Sequence, residues 1–317
     1  MRINLIEAIV RLQNGEVVAI PTETVYGLAA DATNEAALRQ IYFIKQRPID
    51  NPLIVHISGI DQVRHWVTEF SPLAQKLANA FWPGPLTLVL PAKAHVSKIV
   101  RAGEPTVALR VPSHPTALAL LKQIGLGLAA PSANKYTQLS PTTIAHVEHG
   151  LGTDLPVLDG GACQVGIEST IVCVEANQWQ ILRHGMISEL DLTRIANQPV
   201  SKTLNNLPKV PGQHLLHYSP RTPLRLCQTR EELLGISQQF LAENISHAAL
   251  FFGRDNLDKL PQCQYLDLTA NVHKASEALY AALHTLDDFQ SEKILVQRPP
   301  NSPEWLAILD RLSRAAH

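Results

Sequence analysis

Apolar residues recur along this chain with two spacings. Steps of three and four predict helices over residues 4–14, 71–81, 115–124, 142–148 and 188–196, and from Asn34 to a stop before Pro48. Asn4 and Asn34 are candidate N-caps, and Gly15 a candidate stop. Short apolar runs predict strands over 17–20, 53–57, 86–90, 107–111, 127–130, 156–158, 169–174 and 179–182. Trp82-Pro83-Gly84-Pro85 breaks the pattern. Strands and helices mix without strict alternation, which predicts an α/β domain with a mixed sheet.

Between 198 and 221 the pattern stops. Pro199, Pro208, Pro211 and Pro220, with turn chemistry at Asn205-Asn206, predict a linker. Beyond it, strands over 224–227, 248–252, 265–268 and 294–296 alternate with helices over 231–241, 272–289 and 304–315. That alternation predicts a small Rossmann-like parallel α/β domain. The expected organisation is a first domain over 1–197, a linker over 198–221 and a second domain over 222–317.

Composition narrows the classes. Of 317 residues 45% are hydrophobic and 17% charged, so a packed core is expected and wholesale disorder is not. A net charge of −1 argues against a protein that coats nucleic acid. Cys163, Cys173, Cys227 and Cys263 form no C-x-x-C pair, so they are expected as reduced, packed thiols. His146 and His149 lack a third partner at metal-ligand spacing, and no protein metal site is expected. The N-terminus leads into an amphipathic pattern, and no apolar run reaches the roughly 20 residues of a membrane span. The expectation is a soluble cytoplasmic protein.

Candidate chemistry gathers at strand ends. Pro21-Thr22-Glu23-Thr24-Val25-Tyr26-Gly27-Leu28 follows the first predicted strand. Lys45 and Arg47 stand at a helix end, where they either favour the helix dipole or, with Asn51 and His56, suit a triphosphate. Pro131-Ser132-Ala133-Asn134 and Ser140-Pro141-Thr142 could hold a phosphate or carboxylate, or could be a turn and a helix cap at Ser140. Arg110 sits in an apolar strand, so it must bond either a partner carboxylate or an anionic ligand. Glu168-Ser169-Thr170 opens another strand, Arg183 ends one, and His217-Tyr218 lies in the linker. There is no P-loop, no dinucleotide fingerprint and no nucleophile elbow.

In order, P-T-E-T-V-Y-G-L, K-x-R-P, N-P-L-I-V-H, W-P-G-P-L-T, R-x-P, P-S-A-N and E-S-T-I-V make the chain resemble the YrdC-like family, in its longer two-domain form. The resemblance implies synthesis of threonylcarbamoyl-AMP from L-threonine, bicarbonate or CO2, and ATP, with release of pyrophosphate. The product would feed the N6-threonylcarbamoyladenosine modification of tRNA by downstream transfer machinery. Carried over residue by residue, Thr24, His56, Arg110, Ala130 and Ser169 would hold threonine. Lys45, Arg47, Asn51, Thr106, Ser132, Ser140 and Arg183 would hold ATP, with Tyr218 closing over it; Lys45 and Arg47 would serve catalysis. Mg²⁺ would be bound mainly through the ATP phosphates. The linker departs from the family pattern at Leu215-Leu216, where aromatic and basic residues are usual. Two alternatives compete: a non-catalytic module for tRNA or double-stranded RNA, and an accessory domain of a larger carbamoyl-transfer enzyme.

Overall fold

Capped helices and short apolar strands build two sheets. The computed structural model describes residues 1–201, 207–212, 217–253 and 263–316. Two compact units emerge. The first comprises Met1–Tyr136, Pro141–Gln164 and Glu168–Gln213; the second comprises Thr137–Ser140, Val165–Ile167 and His214–His317. The stretch expected as a linker is therefore shared between the units. The expected Asn205-Asn206 turn and the Leu215-Leu216 departure lie outside the described residues.

The first unit holds β1 (Arg2–Ile3), β2 (Val18–Ile20), β3 (Gly27–Asp31), β4 (Ile54–His56), β5 (Leu86–Pro91), β6 (Thr106–Arg110), β7 (Leu128–Ala129), β8 (Val157–Leu158), β9 (Thr170–Glu175) and β10 (Gln178–Arg183). They form one ten-stranded sheet in the order β1-β8-β2-β3-β7-β4-β6-β5-β9-β10. Pairing is mixed: β4 runs parallel to β6 and β5 parallel to β9, while β5 and β6 are antiparallel. Around the sheet lie α1 (Leu5–Gln13), α2 (Glu35–Lys45), α3 (Val63–Trp66), α4 (Pro72–Phe81), α5 (Lys98–Arg101), α6 (Pro115–Ile124), α7 (Ile144–Leu151) and α8 (Glu189–Ala196).

Local chemistry sets the helix ends. Asn4 and Glu7 form a capping box on α1. The Asn34 side chain accepts from the amides of Ala36 and Ala37 at the start of α2. Gln46, in the left-handed region at φ 54°, ends α2 and turns the chain between Lys45 and Arg47. The cap of α7 is Thr143, not Ser140. Thr143 precedes the first helical residue directly, so its hydroxyl reaches the His146 amide.

Strand alternation gives the sheet two different faces. On one, Val55, Leu88, Leu90, Val107, Leu109 and Val172 join the large core. On the other, Ile54, Val89, Ala108, Ile171 and Cys173 form a small patch covered by Val210. That patch stops at Ile54 and Ala108. Two residues further along each strand come His56 and Arg110, which are register partners. Polar residues at the end of a buried patch are where the fold leaves room for chemistry.

The second unit carries β11 (Leu224–Cys227), β12 (His247–Phe252), β13 (Gln264–Leu268) and β14 (Lys293–Gln297) in the order β11-β14-β12-β13. All three pairings are parallel, as the alternation predicts. Its helices are α9 (Arg230–Ala242), α10 (Val272–Asp288) and α11 (Leu306–Ala315). Two short excursions of the chain join it. Ser276 on α10 donates to the Val165 carbonyl at 2.6 Å, and Gly166 runs so close that a Cβ there would lie 2.3 Å from the Ser276 carbonyl oxygen. Thr137 and Ser219 are tied by a 2.8 Å backbone bond. Among the described residues no helix is long and apolar enough to cross a membrane.

Candidate active site

The five expected threonine-binding residues stand at the ends of five strands: Thr24 after β2, His56 on β4, Arg110 on β6, Ala130 after β7 and Ser169 before β9. Arg110, at the end of β6, is 3% exposed. Its Nη1 donates to Thr24 Oγ1 at 2.9 Å, its Nε to the Gly84 carbonyl at 3.3 Å, and its Nη2 lies 2.7 Å from Glu23 Oε1. Thr24 stands in the turn after β2, fixed by Thr22, whose hydroxyl donates to the Val25 carbonyl at 2.6 Å and lies 2.8 Å from Thr24 Oγ1. Ala130 follows β7 and donates its amide to the Ile54 carbonyl at 3.0 Å. Ser169 precedes β9, its hydroxyl 2.7 Å from that of Thr87.

Of the two roles left open for Arg110, the structure supplies a partner carboxylate, Glu23. Glu23 was missed as a site residue, although it stands between Thr22 and Thr24 in a motif already singled out. A single sequence does not say which of 28 acidic residues reaches a given arginine. Burial works to raise the Glu23 carboxyl, but the charge and hydrogen-bonding of Arg110 outweigh it and hold the carboxyl below its ordinary value. The pair is in contact yet poorly aligned: neither Glu23 oxygen nor Arg110 Nη2 has a partner in good hydrogen-bond geometry.

His56 is buried on the same face, and its Nδ1 has no hydrogen-bond partner. Burial first, then the Arg110 guanidinium, push the imidazole down to about 3. It is neutral at physiological pH. In the unfolded chain it protonates near 6.5, so the unfolded state binds the extra proton between about 3 and 6.5 and stability falls as pH falls through that window. Urea unfolding should therefore lose up to about 1.4 kcal/mol per pH unit from pH 6 to 4. The loss should shrink in His56→Asn; an identical slope in that variant would refute the assignment to His56.

The basic residues expected at the nucleotide are held by carbonyls and rings. Lys45 Nζ donates to the Ser132 and Asn134 carbonyls, both at 2.6 Å. Burial, and then neighbouring Arg47, lower the Lys45 amine well below its ordinary value, with Glu168 opposing. Arg47 donates to the Pro52 carbonyl at 3.1 Å and stacks over Tyr136 at 5.7 Å. Asn51 donates to the Tyr136 hydroxyl at 3.2 Å. Arg183 donates three times to Ser169, from Nε at 3.1 Å and Nη2 at 3.0 Å to the carbonyl and from Nη2 at 3.2 Å to the hydroxyl, and its Nη1 reaches the Pro211 carbonyl at 3.2 Å.

Thr106 is at the other end of β6 from Arg110, on the same face, about 13 Å away by strand geometry. It lines a small cleft with Pro52, Arg101, Glu104, Lys209 and Pro211. Arg101 and Lys209 are further cations that the sequence reading did not single out. Two expected residues fall in the second unit. Ser140 is there with its carbonyl 3.3 Å from His284 Nε2. Tyr218 is there too, its ring stacked 5.1 Å from the Arg311 guanidinium and 6.0 Å from Tyr280. Among the described residues no group of three or more His, Cys, Asp or Glu is placed to hold a metal ion.

Comparison with known proteins agrees with this architecture. The Sua5, YciO and YrdC family model, described as telomere recombination, matches residues 10–185. A second model, described as threonylcarbamoyl-AMP synthase, C-terminal domain, matches residues 182–317. The chain is 38% identical to the threonylcarbamoyl-AMP synthase of Bacillus subtilis over 98% of its own length and 92% of the relative's. It is 37% identical to that of Schizosaccharomyces pombe over 94% and 84%. The crystal structure of Pyrococcus abyssi Sua5 complexed with L-threonine superposes with a TM-score of 0.90 at 29% identity, covering 100% of this chain and 97% of that one. The chain belongs to the Sua5–YciO–YrdC family, among its two-domain threonylcarbamoyl-AMP synthases.

Proposed function

We propose that the chain joins L-threonine, bicarbonate and ATP into threonylcarbamoyl-AMP with release of pyrophosphate, acting as a nucleotidyltransferase. The buried Arg110–Glu23 pair carries this reading, because a guanidinium with one unaligned nitrogen, Nη2, beside a carboxylate with unaligned oxygens suits both charges of an α-amino acid. Thr24, His56, Ala130 and Ser169 are assigned with that pair to the threonine end. Lys45, Arg47, Asn51, Thr106, Ser132 and Arg183 form the nucleotide end. Ser140 and Tyr218, in the second unit, are assigned to ATP by the family resemblance.

Chemically, the N-carboxylate of threonine attacks the α-phosphorus of ATP and pyrophosphate leaves. No covalent enzyme nucleophile is required. The protein must hold two anions together and stabilise the leaving group. Lys45 is suited to this, since its amine now rests on neutral carbonyls and an arriving phosphate would be a stronger partner. Mg²⁺, held through the phosphates, would share the charge and needs no dedicated protein cage. The product would pass to tRNA-modifying partners in the cytoplasm.

Pyrophosphate release tests the reading. The rate should require threonine, bicarbonate and ATP together. A rate unchanged when threonine or bicarbonate is omitted would sink it.

A further inference from the structure

Glu23 is a buried acid to which the reaction outlined above gives no chemical step, although it touches the residue expected to take threonine's carboxylate. It is 3% exposed. Its only ion-pair partner among the described residues is Arg110, and its two oxygens have no aligned donor. Backbone amides of Glu23 and Ser113 lie near enough to favour its charge. Leaving such lone pairs buried and unaligned is costly unless something arrives to use them.

We infer that Glu23 receives the α-ammonium of threonine and is the base that strips its protons as the amine is carboxylated. This rests on the reading of the chain as a threonylcarbamoyl-AMP synthase. Arrival of the substrate makes the base. Threonine's carboxylate competes for the Arg110 guanidinium, and Glu23 is left facing the ammonium. With Arg110 drawn away, burial dominates and the proton affinity of Glu23 rises. The other titratable groups around it do not compete. His56 would have to become a cation beside Arg110, and the Cys163 thiol is pushed up to about 12 by burial, so it keeps its proton.

The protons and electron pairs balance. Glu23 takes one proton from the ammonium and passes it to bicarbonate, which loses water and becomes CO2. The freed nitrogen lone pair forms the C–N bond to the CO2 carbon, and one C=O π pair moves onto oxygen. Glu23 then takes the second N–H proton from the adduct, leaving the carbamate anion, and loses it to solvent after the product departs. The sum is ammonium plus bicarbonate giving carbamate, water and one proton. Transfer of adenylyl to the carbamate comes afterwards and does not involve Glu23.

That order separates the two directions of the reaction. Glu23→Gln keeps the shape and removes the base. Synthesis from threonine, bicarbonate and ATP should fall about a hundredfold, within the range of a general base. Formation of ATP from threonylcarbamoyl-AMP and pyrophosphate, which needs no proton from nitrogen, should fall by about tenfold or less, the part due to lost binding alone, so the forward-to-reverse ratio drops. Glu23→Asp should recover part of the forward rate. An unchanged forward rate in Glu23→Gln, or an equal fall in both directions, would overturn the inference. If Glu23→Gln does not fold, Glu23→Asp decides: a lower forward-to-reverse ratio supports the role and an unchanged ratio removes it. An unsubstituted protein inactive in both directions would instead refute the synthase reading.

Discussion

Arg110→Met is expected to cut threonine-dependent pyrophosphate release by roughly a thousandfold, the scale on which removing one partner of a buried hydrogen-bonded charge acts. The same change leaves the Glu23 carboxylate buried with no cation, at a cost to stability of about 3–5 kcal/mol near neutral pH. The two effects come apart in a second variant. Adding Glu23→Gln removes the orphaned charge, so stability should return in part while activity stays lost. The stability cost of the single variant should also shrink as pH falls, because a carboxyl without Arg110 and with burial still acting is easier to neutralise. Chemical unfolding of the three proteins at pH 7 and pH 5 checks both signs. Equal stability of the single and double variants would mean that Glu23 and Arg110 are not coupled as the 2.7 Å contact implies.

Lys45→Met should act on a different substrate. It removes the donors that hold the Ser132 and Asn134 carbonyls, one half-buried and one buried acceptor that each cost about 1–3 kcal/mol when left unpaired. A combined loss of about 2–5 kcal/mol is expected in unfolding experiments. If Lys45 also faces ATP, the KM for ATP rises and that for threonine stays nearly level, measured well below the melting temperature. Lys45→Arg should not rescue it, because the larger planar guanidinium does not fit the fully buried space that the compact ammonium fills 2.6 Å from two carbonyls. A folded Lys45→Met protein with an unchanged KM for ATP would make this lysine a bolt between α2 and the turn at Ser132, and nothing more.

Much of the fold was legible because it is written in local chemistry. Helix α6 runs over Pro115–Ile124, where the spacing puts it. Strand β11 matches its apolar run. Strand β3 was not legible. Its sequence, Gly27-Leu28-Ala29-Ala30-Asp31, has no β-branched residue, and it is a strand because β2 and β7 pair with it on either side. Of the two roles left open for Ser140, the helix cap goes to Thr143, because the helix starts later than its apolar spacing suggests. The excursions at Thr137–Ser140 and Val165–Ile167 were invisible for another reason. Membership in a compact unit is a long-range packing property, and neither segment carries a change of composition.

Much of the candidate site was visible as residue types at strand ends, but not as partners. Arg110 had to bond an anion, since a guanidinium in an apolar strand cannot stay alone. Which anion depended on how the turn at Thr22–Thr24 folds onto the strand carrying Arg110. Thr87 and Arg183 meet at Ser169 for the same kind of reason. By itself the sequence determined the longer helices and most strands, through caps, breakers and periodicity that act within a few residues, and it determined the family, through motifs in a fixed order; the four-residue helices α3 and α5 carry too little periodicity to read. Only the tertiary structure decided that Glu23 faces Arg110, that His56 stays neutral and that Tyr218 packs on Arg311. Those outcomes depend on burial and on charges distant along the chain, and neither is a property of any local stretch.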